Sequence, residues 1–351
     1  MYVIEDFQVE VKDLQMGATN RTSYEQMFPG GKGIKMAITK CRQTTDNILK
    51  MAEAAFPNKG IPQIEELTEG MCNVAYKLTY EDGFCTILKI SSPTNTGFMT
   101  NECNLMDAEV KAMNLVASHT DIKVPQVYTY DTTKALCEGK YFFMECLDGE
   151  NWITVIENLG EEVNRKLRKE VGKIQKQLTV ITNDTFGLLG DSEHQFTMLY
   201  DFAYYLISNV LNDAEQRNVF IGVSKDEILN LLEKDKTYFG AAKTPTLVHW
   251  DMWEGNIFVK DEAIAGIIDW ERAMWGEAYM DDRFRHHNRK KEFLQGFGVT
   301  QLSEMELRRI YWYDVLLYLT MMTEVTYREY EDDGQYKWAK SMFDEIWSLL
   351  K

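Results

Sequence analysis

The sequence predicts an α+β fold with two lobes, in which an antiparallel sheet with one inserted helix is followed by a mainly helical lobe. Strand-like alternation of apolar residues dominates between Ile64 and Ser92, whereas apolar residues after Gly149 recur every three or four positions, as one face of a helix requires. A chain of 351 residues is also too long for one core of average size. We therefore expect an N-terminal extension, a first lobe and a second lobe, covering residues 1–60, 61–148 and 149–351.

The N-terminal extension contains the glycine-bearing segments GATN and PGGKG, which indicate loops. Apolar residues between Met36 and Phe56 suit a helix, which Pro57 and Gly60 would end. We expect this helix to pack on the first lobe.

The first lobe begins with three strand-like segments, QIEELTEG, NVAYKLTYEDG and FCTILKI, with a turn at Glu81–Gly83. Helical spacing follows over residues 101–118, and two further strands are expected in DIKVPQVYTYD and GKYFFMECL. The result is the antiparallel sheet with one inserted helix.

The second lobe shows helical periodicity from Val163 to Ile181 and again over residues 196–211 and 304–330. Between the last two lies a short β segment, LVHWDMWEGNIFVKDEAIAGIIDWE, whose two apolar strands flank a polar turn. We therefore predict a β-hairpin within a helical lobe.

Composition excludes several classes of protein. The net charge of −17 opposes binding to a nucleic-acid backbone or an anionic membrane surface, so we expect neither as a partner. The six cysteines form no C-x-x-C pair, which favours reduced thiols. No signal-like segment and no run of about 18 apolar residues is present, and we expect a cytoplasmic protein, monomeric or homodimeric.

The predicted hairpin places polar side chains at the open ends of its strands. If its centre lies between Glu262 and Ala263, Asn256 and Asp269 face each other with Cβ atoms about 4.5–5.5 Å apart. An amide oxygen and a carboxylate at that distance can share Mg²⁺, which prefers such oxygen ligands. Asp251, five residues before Asn256, is then left to accept a proton from a hydroxyl group.

The run H-x-D-x-x-x-x-N that starts at His249, with the following I-I-D-W-E, resembles the catalytic loop and metal-binding aspartate of the aminoglycoside phosphotransferase and choline kinase-like family. The resemblance implies a bilobal, protein-kinase-like fold with Asp251 as catalytic base. It also implies that Asn256 and Asp269 hold Mg²⁺ and that His249 supports the loop by hydrogen bonding. Trp250 stands where the family frequently has glycine.

Features of the first lobe extend the resemblance to the nucleotide site. The turn that contains Gly70 and Asn73 resembles the family's G-G-x-x-N loop near the nucleotide phosphates, although only one glycine of the pair is present. Lys89 resembles the lysine of the V-A-I-K strand, which pairs with the α- and β-phosphates. A buried ammonium needs a partner, and we favour Glu109 over Glu102 because Glu102 lies too near the start of the helix.

The segment Tyr141–Gly149 resembles the strand and hinge between kinase lobes, where backbone groups from Glu145 to Leu147 would bond the adenine edge. Gly276–Asp281 resembles G-D-P-x-x-D and implies a structural role for Asp281. All these features occur in the order that a kinase fold requires, over about residues 61–285.

Together these observations predict an ATP- or GTP-dependent, Mg²⁺-requiring kinase that phosphorylates a hydroxyl of an amine-bearing small molecule. The amine would be held by acidic residues on and after the helix over 304–330, namely Glu324, Glu329, Glu331, Asp332 and Asp333. The alternatives are a nucleotide-binding regulatory protein without transfer activity and a kinase for a neutral sugar or hydroxy amino acid. We interpret the basic segment 283–291 as a solvated helix, and an interaction module that uses it is a further alternative.

Overall fold

The computed structural model describes residues 40–68, 73–94 and 96–351. Gly70, predicted to lie in the phosphate turn, is outside the described residues, as are the loops expected before Lys40. Of the predicted N-terminal helix, the described part is α1, Thr45–Ala55, which Thr44 caps by accepting a hydrogen bond from the N–H of Asn47.

The first lobe is built on a five-stranded sheet whose neighbouring strands are all antiparallel, in the order β1-β2-β3-β5-β4. The inserted helix, α2, precedes the last two strands. The elements are β1 (Gln63–Leu67), β2 (Val74–Thr79), β3 (Cys85–Ile90), α2 (Leu105–His119), β4 (Val127–Asp131) and β5 (Tyr141–Glu145).

The two faces of this sheet have different neighbours, because successive side chains of a strand point to opposite sides. Val74, Tyr76 and Leu88 belong to one apolar cluster with the buried residues of α1. The opposite face contains Lys89 and Phe142, and Phe142 belongs to a cluster shared with α2 and the second lobe. The extension helix therefore covers the outer face, and the inner face meets the second lobe.

The second lobe is mainly helical, as the sequence predicted. Its helices are α3 (Trp152–Val155), α4 (Gly160–Leu178), α5 (Leu199–Gln216), α6 (Lys225–Lys234), α7 (Lys236–Phe239), α8 (Lys291–Phe297), α9 (Glu304–Tyr327) and α10 (Gly334–Leu350). Its strands are β6 (Glu150–Asn151), β7 (Gly187–Leu188), β8 (Thr246–Val248), β9 (Ile257–Lys260), β10 (Ala263–Ile267) and β11 (Met274–Gly276), which form two three-stranded sheets. None of the described helices is long and apolar enough to cross a membrane.

The β9–β10 hairpin differs in register from the sequence prediction. Ala263 pairs with Lys260, so the turn is centred between Asp261 and Glu262, one residue earlier than expected. Both turn residues have positive φ, 48° and 59°, as a two-residue turn that matches strand twist requires. The turn conformation, which apolar patterning does not reveal, decides the register.

This register changes the residue that faces Asn256. After a bulge between Ile264 and Gly266, the N–H of Ile268 donates to the carbonyl of Asn256 over 3.0 Å. The predicted pairing of Asn256 with Asp269 is therefore wrong by one residue. Asp269 instead follows the hairpin with a left-handed backbone, φ 66°.

The basic segment 283–291 is not the solvated helix that we predicted. Arg283 and Arg285 are only 2% and 0% exposed, and a short 3₁₀ turn, Asp282–Phe284, holds the first of them. Arg283 donates to the carboxylate of Glu254 (2.7 Å) and the carbonyl of Met252 (2.6 Å). A buried guanidinium needs such partners, so this segment supports the neighbouring loop from inside the lobe.

Residues 97–104, between β3 and α2, connect the two lobes. Glu102 accepts hydrogen bonds from Arg272 (2.9 Å) and from Arg328 (2.7 Å), which also contacts the carbonyl of Gly97. Glu102, the alternative partner considered for Lys89, is thus engaged by arginines of the second lobe. The two arginines neutralise the buried Glu102 carboxylate and hold in place the segment that leads into α2.

Replacing Arg328, whose side chain is 0% exposed, should destabilise the protein strongly. We expect Arg328→Met to lower the free energy of unfolding by about 3–5 kcal/mol, because it leaves Glu102 buried with half of its partners. Urea unfolding measures this change. The matched control is Lys337→Met, which removes an exposed pair with Asp333 and should leave the free energy of unfolding nearly unchanged. Equal effects of the two substitutions would contradict a structural role for the cluster.

Candidate active site

The loop between β8 and β9 carries His249 and Asp251. The His249 ring is fully buried against Trp270, with ring centroids 4.4 Å apart. Its Nε2 lies 2.9 Å from the carbonyl of Ile268, and its Nδ1 accepts from the N–H of Asp251 over 3.3 Å. Burial lowers the pKa of His249 to about 4, so the ring is neutral near pH 7. Its contacts fix the loop to the end of β10.

Trp250 has φ 75°, a left-handed conformation that favours glycine. A residue with a side chain pays about 1–2 kcal/mol for it. Two contacts hold Trp250 there. Its N–H donates to Asp281 Oδ2 over 3.0 Å, and the Arg272 guanidinium lies 5.3 Å from the centre of its ring. The backbone conformation explains why glycine is frequent at this position of the motif.

Asp251 follows Trp250 on the same loop and is half-buried. Asn256 donates through Nδ2 to the carbonyl of Asp251 (2.9 Å) and to its carboxylate (3.2 Å). Because both bonds use the amide nitrogen, the amide oxygen of Asn256 is left for another partner. Burial raises the pKa of the Asp251 carboxyl well above its ordinary value, and the Arg272 guanidinium only partly opposes this. A raised pKa makes the carboxylate a better proton acceptor.

Lys89 joins the two lobes at the centre of the cleft. Its Nζ lies 2.7 and 2.8 Å from the two carboxylate oxygens of Glu109 and 2.8 Å from Asp269 Oδ1. The Lys89–Glu109 pair predicted from sequence is thus present. Burial alone would lower the pKa of Lys89, but the carboxylates of Asp269 and Glu109 outweigh burial and raise it well above its ordinary value. Lys89 is therefore a cation held between acids of both lobes.

A third carboxylate, Glu271, lies beside Asp269 and Glu109, with ligand oxygens of all three within 4.8 Å of one another. Carboxylate oxygens, like the amide oxygen of Asn256, are ligands that fit Mg²⁺ rather than a softer metal. Burial raises the pKa of the Glu271 carboxyl, and the Lys89 ammonium and the Arg272 guanidinium oppose this shift. Asn73 donates to its Oε2 over 2.8 Å. Glu271 is the last residue of the I-I-D-W-E motif, and the sequence alone assigned it no role. Its position two residues after Asp269 was the signal that could have indicated a place in the site.

The hinge segment contacts the β9–β10 hairpin of the second lobe. Glu145 ends β5, and the Leu147 side chain packs against Gly266 of β10. A Cβ at Gly266 would lie 2.6 Å from Leu147 Cδ1, so a side chain there would displace the hinge. Within residues 40–68, 73–94 and 96–351, no acceptor bonds the backbone N–H of Leu147. This donor suits a planar ligand with acceptors on its edge.

The acidic residues expected to hold an amine differ in burial and in partners. Glu324 is buried and accepts from Arg272 over 2.9 Å. The remaining residues are exposed: Glu329, Glu331, Asp332 and Asp333. Of these, Asp333 pairs with Lys337. Glu324 is therefore already neutralised by arginine.

Comparison with known proteins matches this part of the chain to a family. The model of the phosphotransferase enzyme family matches residues 63–281, from β1 to Asp281. Among curated proteins, the proposed acyl-CoA dehydrogenase IBR3 of Arabidopsis thaliana is 23% identical over 278 residues, which cover 75% of this chain and 33% of that protein. The chain thus spans about one third of the length of this relative.

Solved structures show the same fold. The proposed fructosamine-3-kinase of Haemophilus somnus 129PT matches with a TM-score of 0.64 and 18% identity, covering 85% of this chain and 96% of that chain. The proposed aminoglycoside phosphotransferase of Ralstonia eutropha JMP134 gives 0.62 and 13%, covering 88% and 98%. A thermostable mutant of aminoglycoside phosphotransferase APH(4)-Ia, in complex with ADP and hygromycin B, gives 0.61 and 16%, covering 86% and 97%. The kinase-like fold predicted from the motifs is confirmed.

The left-handed backbone at Trp250 makes a prediction about stability. Removing the indole should destabilise the protein, but Trp250→Gly should be more stable than Trp250→Ala by about 1 kcal/mol, because only alanine retains the strain. Chemical unfolding of both variants measures the difference. At Tyr311, inside α9, the order should reverse by a similar amount because glycine is a poor helix former. Alanine more stable than glycine at both positions would contradict the strain at Trp250.

Proposed function

The chain belongs to the phosphotransferase enzyme family, and we propose that it transfers the γ-phosphate of ATP or GTP to a hydroxyl of an amine-bearing small molecule. The observation that carries this proposal is the side-chain arrangement in the cleft, where Lys89, Glu109 and Asp269 form one ion-paired group. A cation that binds phosphate and acids that bind a metal are the two requirements of phosphoryl transfer. Asp251 lies on the adjacent loop.

We assign the nucleotide to the space between the lobes. Backbone groups from Glu145 to Leu147 bond the base, and Lys89 binds the α- and β-phosphates while Glu109 keeps its ammonium in place. Gly70 and Asn73 belong to the turn near the phosphates. The complex of APH(4)-Ia with ADP and hygromycin B supports a site for a nucleotide together with an acceptor.

Asp251 is assigned as the base that accepts the proton of the acceptor hydroxyl. Its raised pKa suits that role, and the bond from Asn256 orients its carboxylate. Asn256 and Asp269 would hold Mg²⁺, which would supply positive charge beside the transferring phosphoryl group. His249 and Asp281 act on Asp251 indirectly, because their contacts hold the backbone of Trp250 and of Asp251 itself.

The lobes of this enzyme would then be residues 61–148 for the nucleotide and residues 149–351 for catalysis and acceptor binding. Residues 1–60 form an extension whose helix α1 covers the outer face of the sheet. The boundary near residue 148 falls at the end of the hinge segment, beside Gly149, which has φ 153°.

The amine on the acceptor is the finer part of the proposal. A net charge of −17 favours cations near the surface. The names of the matched structures, aminoglycoside phosphotransferase and fructosamine-3-kinase, point to aminated acceptors for those proteins. Because Glu324 is neutralised by Arg272, the amine must be held elsewhere or by the exposed acids beyond α9.

A coupled ADP-release screen tests the proposal and the base together. Aminoglycosides, amino alcohols, glycated amines and neutral sugars are compared at matched concentration with Mg·ATP and Mg·GTP. We expect the wild type to turn over an amine-bearing acceptor. Asp251→Asn should bind the nucleotide as tightly but lose transfer by about 10²–10⁴, the usual scale for a general base.

The matched control for this substitution is Asp261→Asn, at the exposed tip of the β9–β10 hairpin, which should retain wild-type turnover. Turnover of neutral sugars alone would contradict the amine-bearing acceptor and would still support kinase activity. Nucleotide binding without turnover of any acceptor would favour a regulatory protein. Full activity of Asp251→Asn would contradict the assigned base.

A further inference from the structure

A second polar contact crosses between the lobes beside Lys89 and Asp269. Asn73, which directly precedes β2, donates through Nδ2 to Glu271 Oε2 over 2.8 Å. Asn73 and Glu271 are 7% and 8% exposed and lie 198 positions apart in the chain. A buried amide and a buried carboxylate are costly without partners, so this pair specifies how the lobes meet.

The two contacts engage neighbouring residues of one short loop. Lys89 of β3 bonds Asp269, and Asn73 bonds Glu271, two residues further along. Lys89 faces Ala75 across the β2–β3 pair, and Asn73 is two residues from Ala75. Asn73 and Lys89 both bond the loop that carries Asp269 and Glu271, so both side chains point from the first lobe towards this loop.

Nucleotide binding would affect the Lys89–Asp269 contact and the Asn73–Glu271 contact differently. On the proposed function, Lys89 binds the phosphates and Asp269 binds the metal, so their mutual bond must open. The Asn73–Glu271 bond uses neither group and can persist. Of these two bonds, the Asn73–Glu271 bond is then the one that still connects the loop to the first lobe.

We propose that Asn73 is a positioning residue, which holds Glu271 and thereby keeps the loop bearing Asp269 in place while Lys89 transfers from Asp269 to the nucleotide. This inference rests on the proposed function and refines the assignment of Asn73, whose amide N–H₂ is directed at Glu271. Asn73 therefore acts on nucleotide affinity through Glu271 and not through direct contact with the phosphates.

An exchange of the two groups tests this pairing. Asn73→Asp places two carboxylates against each other and should open the contact. Glu271→Gln retains an oxygen that accepts from Asn73. The double variant restores a carboxylate–amide pair with the groups exchanged. The exposed substitution Asn114→Asp on α2 serves as the control for the added charge.

Two readouts are compared across these variants: the melting temperature without nucleotide, and the Kd and KM for Mg·ATP. In the wild-type background, Asn73→Asp should lower the melting temperature and raise Kd and KM about ten- to one-hundredfold, the scale for losing a hydrogen bond to a charged group. In the Glu271→Gln background the same change should alter Kd and KM less than about threefold, because paired residues are not additive. Asn114→Asp should change neither readout.

Equal effects of Asn73→Asp in both backgrounds would overturn the inference, since a residue that contacts the nucleotide directly cannot be rescued at position 271. A wild type that binds no Mg·ATP would overturn the proposed function, and the inference with it. A wild type that binds Mg·ATP without rescue in the double variant would overturn the inference alone.

Discussion

The loop from Asp269 to Arg272 is the constraint on which the candidate site depends. Three of its side chains bond the first lobe: Asp269 bonds Lys89, Glu271 bonds Asn73, and Arg272 bonds Glu102. These bonds reach the β3 strand, the start of β2 and the segment before α2. Because α2 carries Glu109, one loop sets both the position of the lysine and that of its partner.

Local patterning was sufficient to predict much of the fold. Alternation over β2 and β3 and periodicity over α4 predicted these elements, because each of them buries one face of its own. The Lys89–Glu109 pair could be predicted because a strand lysine facing a buried helix face needs an acid there. Helices α6 and α10 received no boundaries from the sequence.

The errors arose where a long-range or conformational choice outweighed the pattern. The hairpin register depended on left-handed residues at its turn and on a bulge, neither of which apolar spacing specifies. The basic segment reads as a solvated helix until Arg283 is seen to pair with Glu254. Asn73 was assigned by its place in a turn, but its partner lies in the other lobe. Charged and polar pairs across lobes cannot be deduced from either segment alone.

A structure with Mg²⁺ and AMP-PNP tests the central claim, that the ion-paired group in the cleft is a nucleotide and metal site. The account predicts that Lys89 leaves Asp269 and contacts the phosphates while remaining within about 3.2 Å of Glu109. Oxygens of Asp269 and Asn256 should lie about 2.1 Å from the ion. A nucleotide bound in the cleft with Lys89 still on Asp269, and with the ion held by other residues, would contradict it.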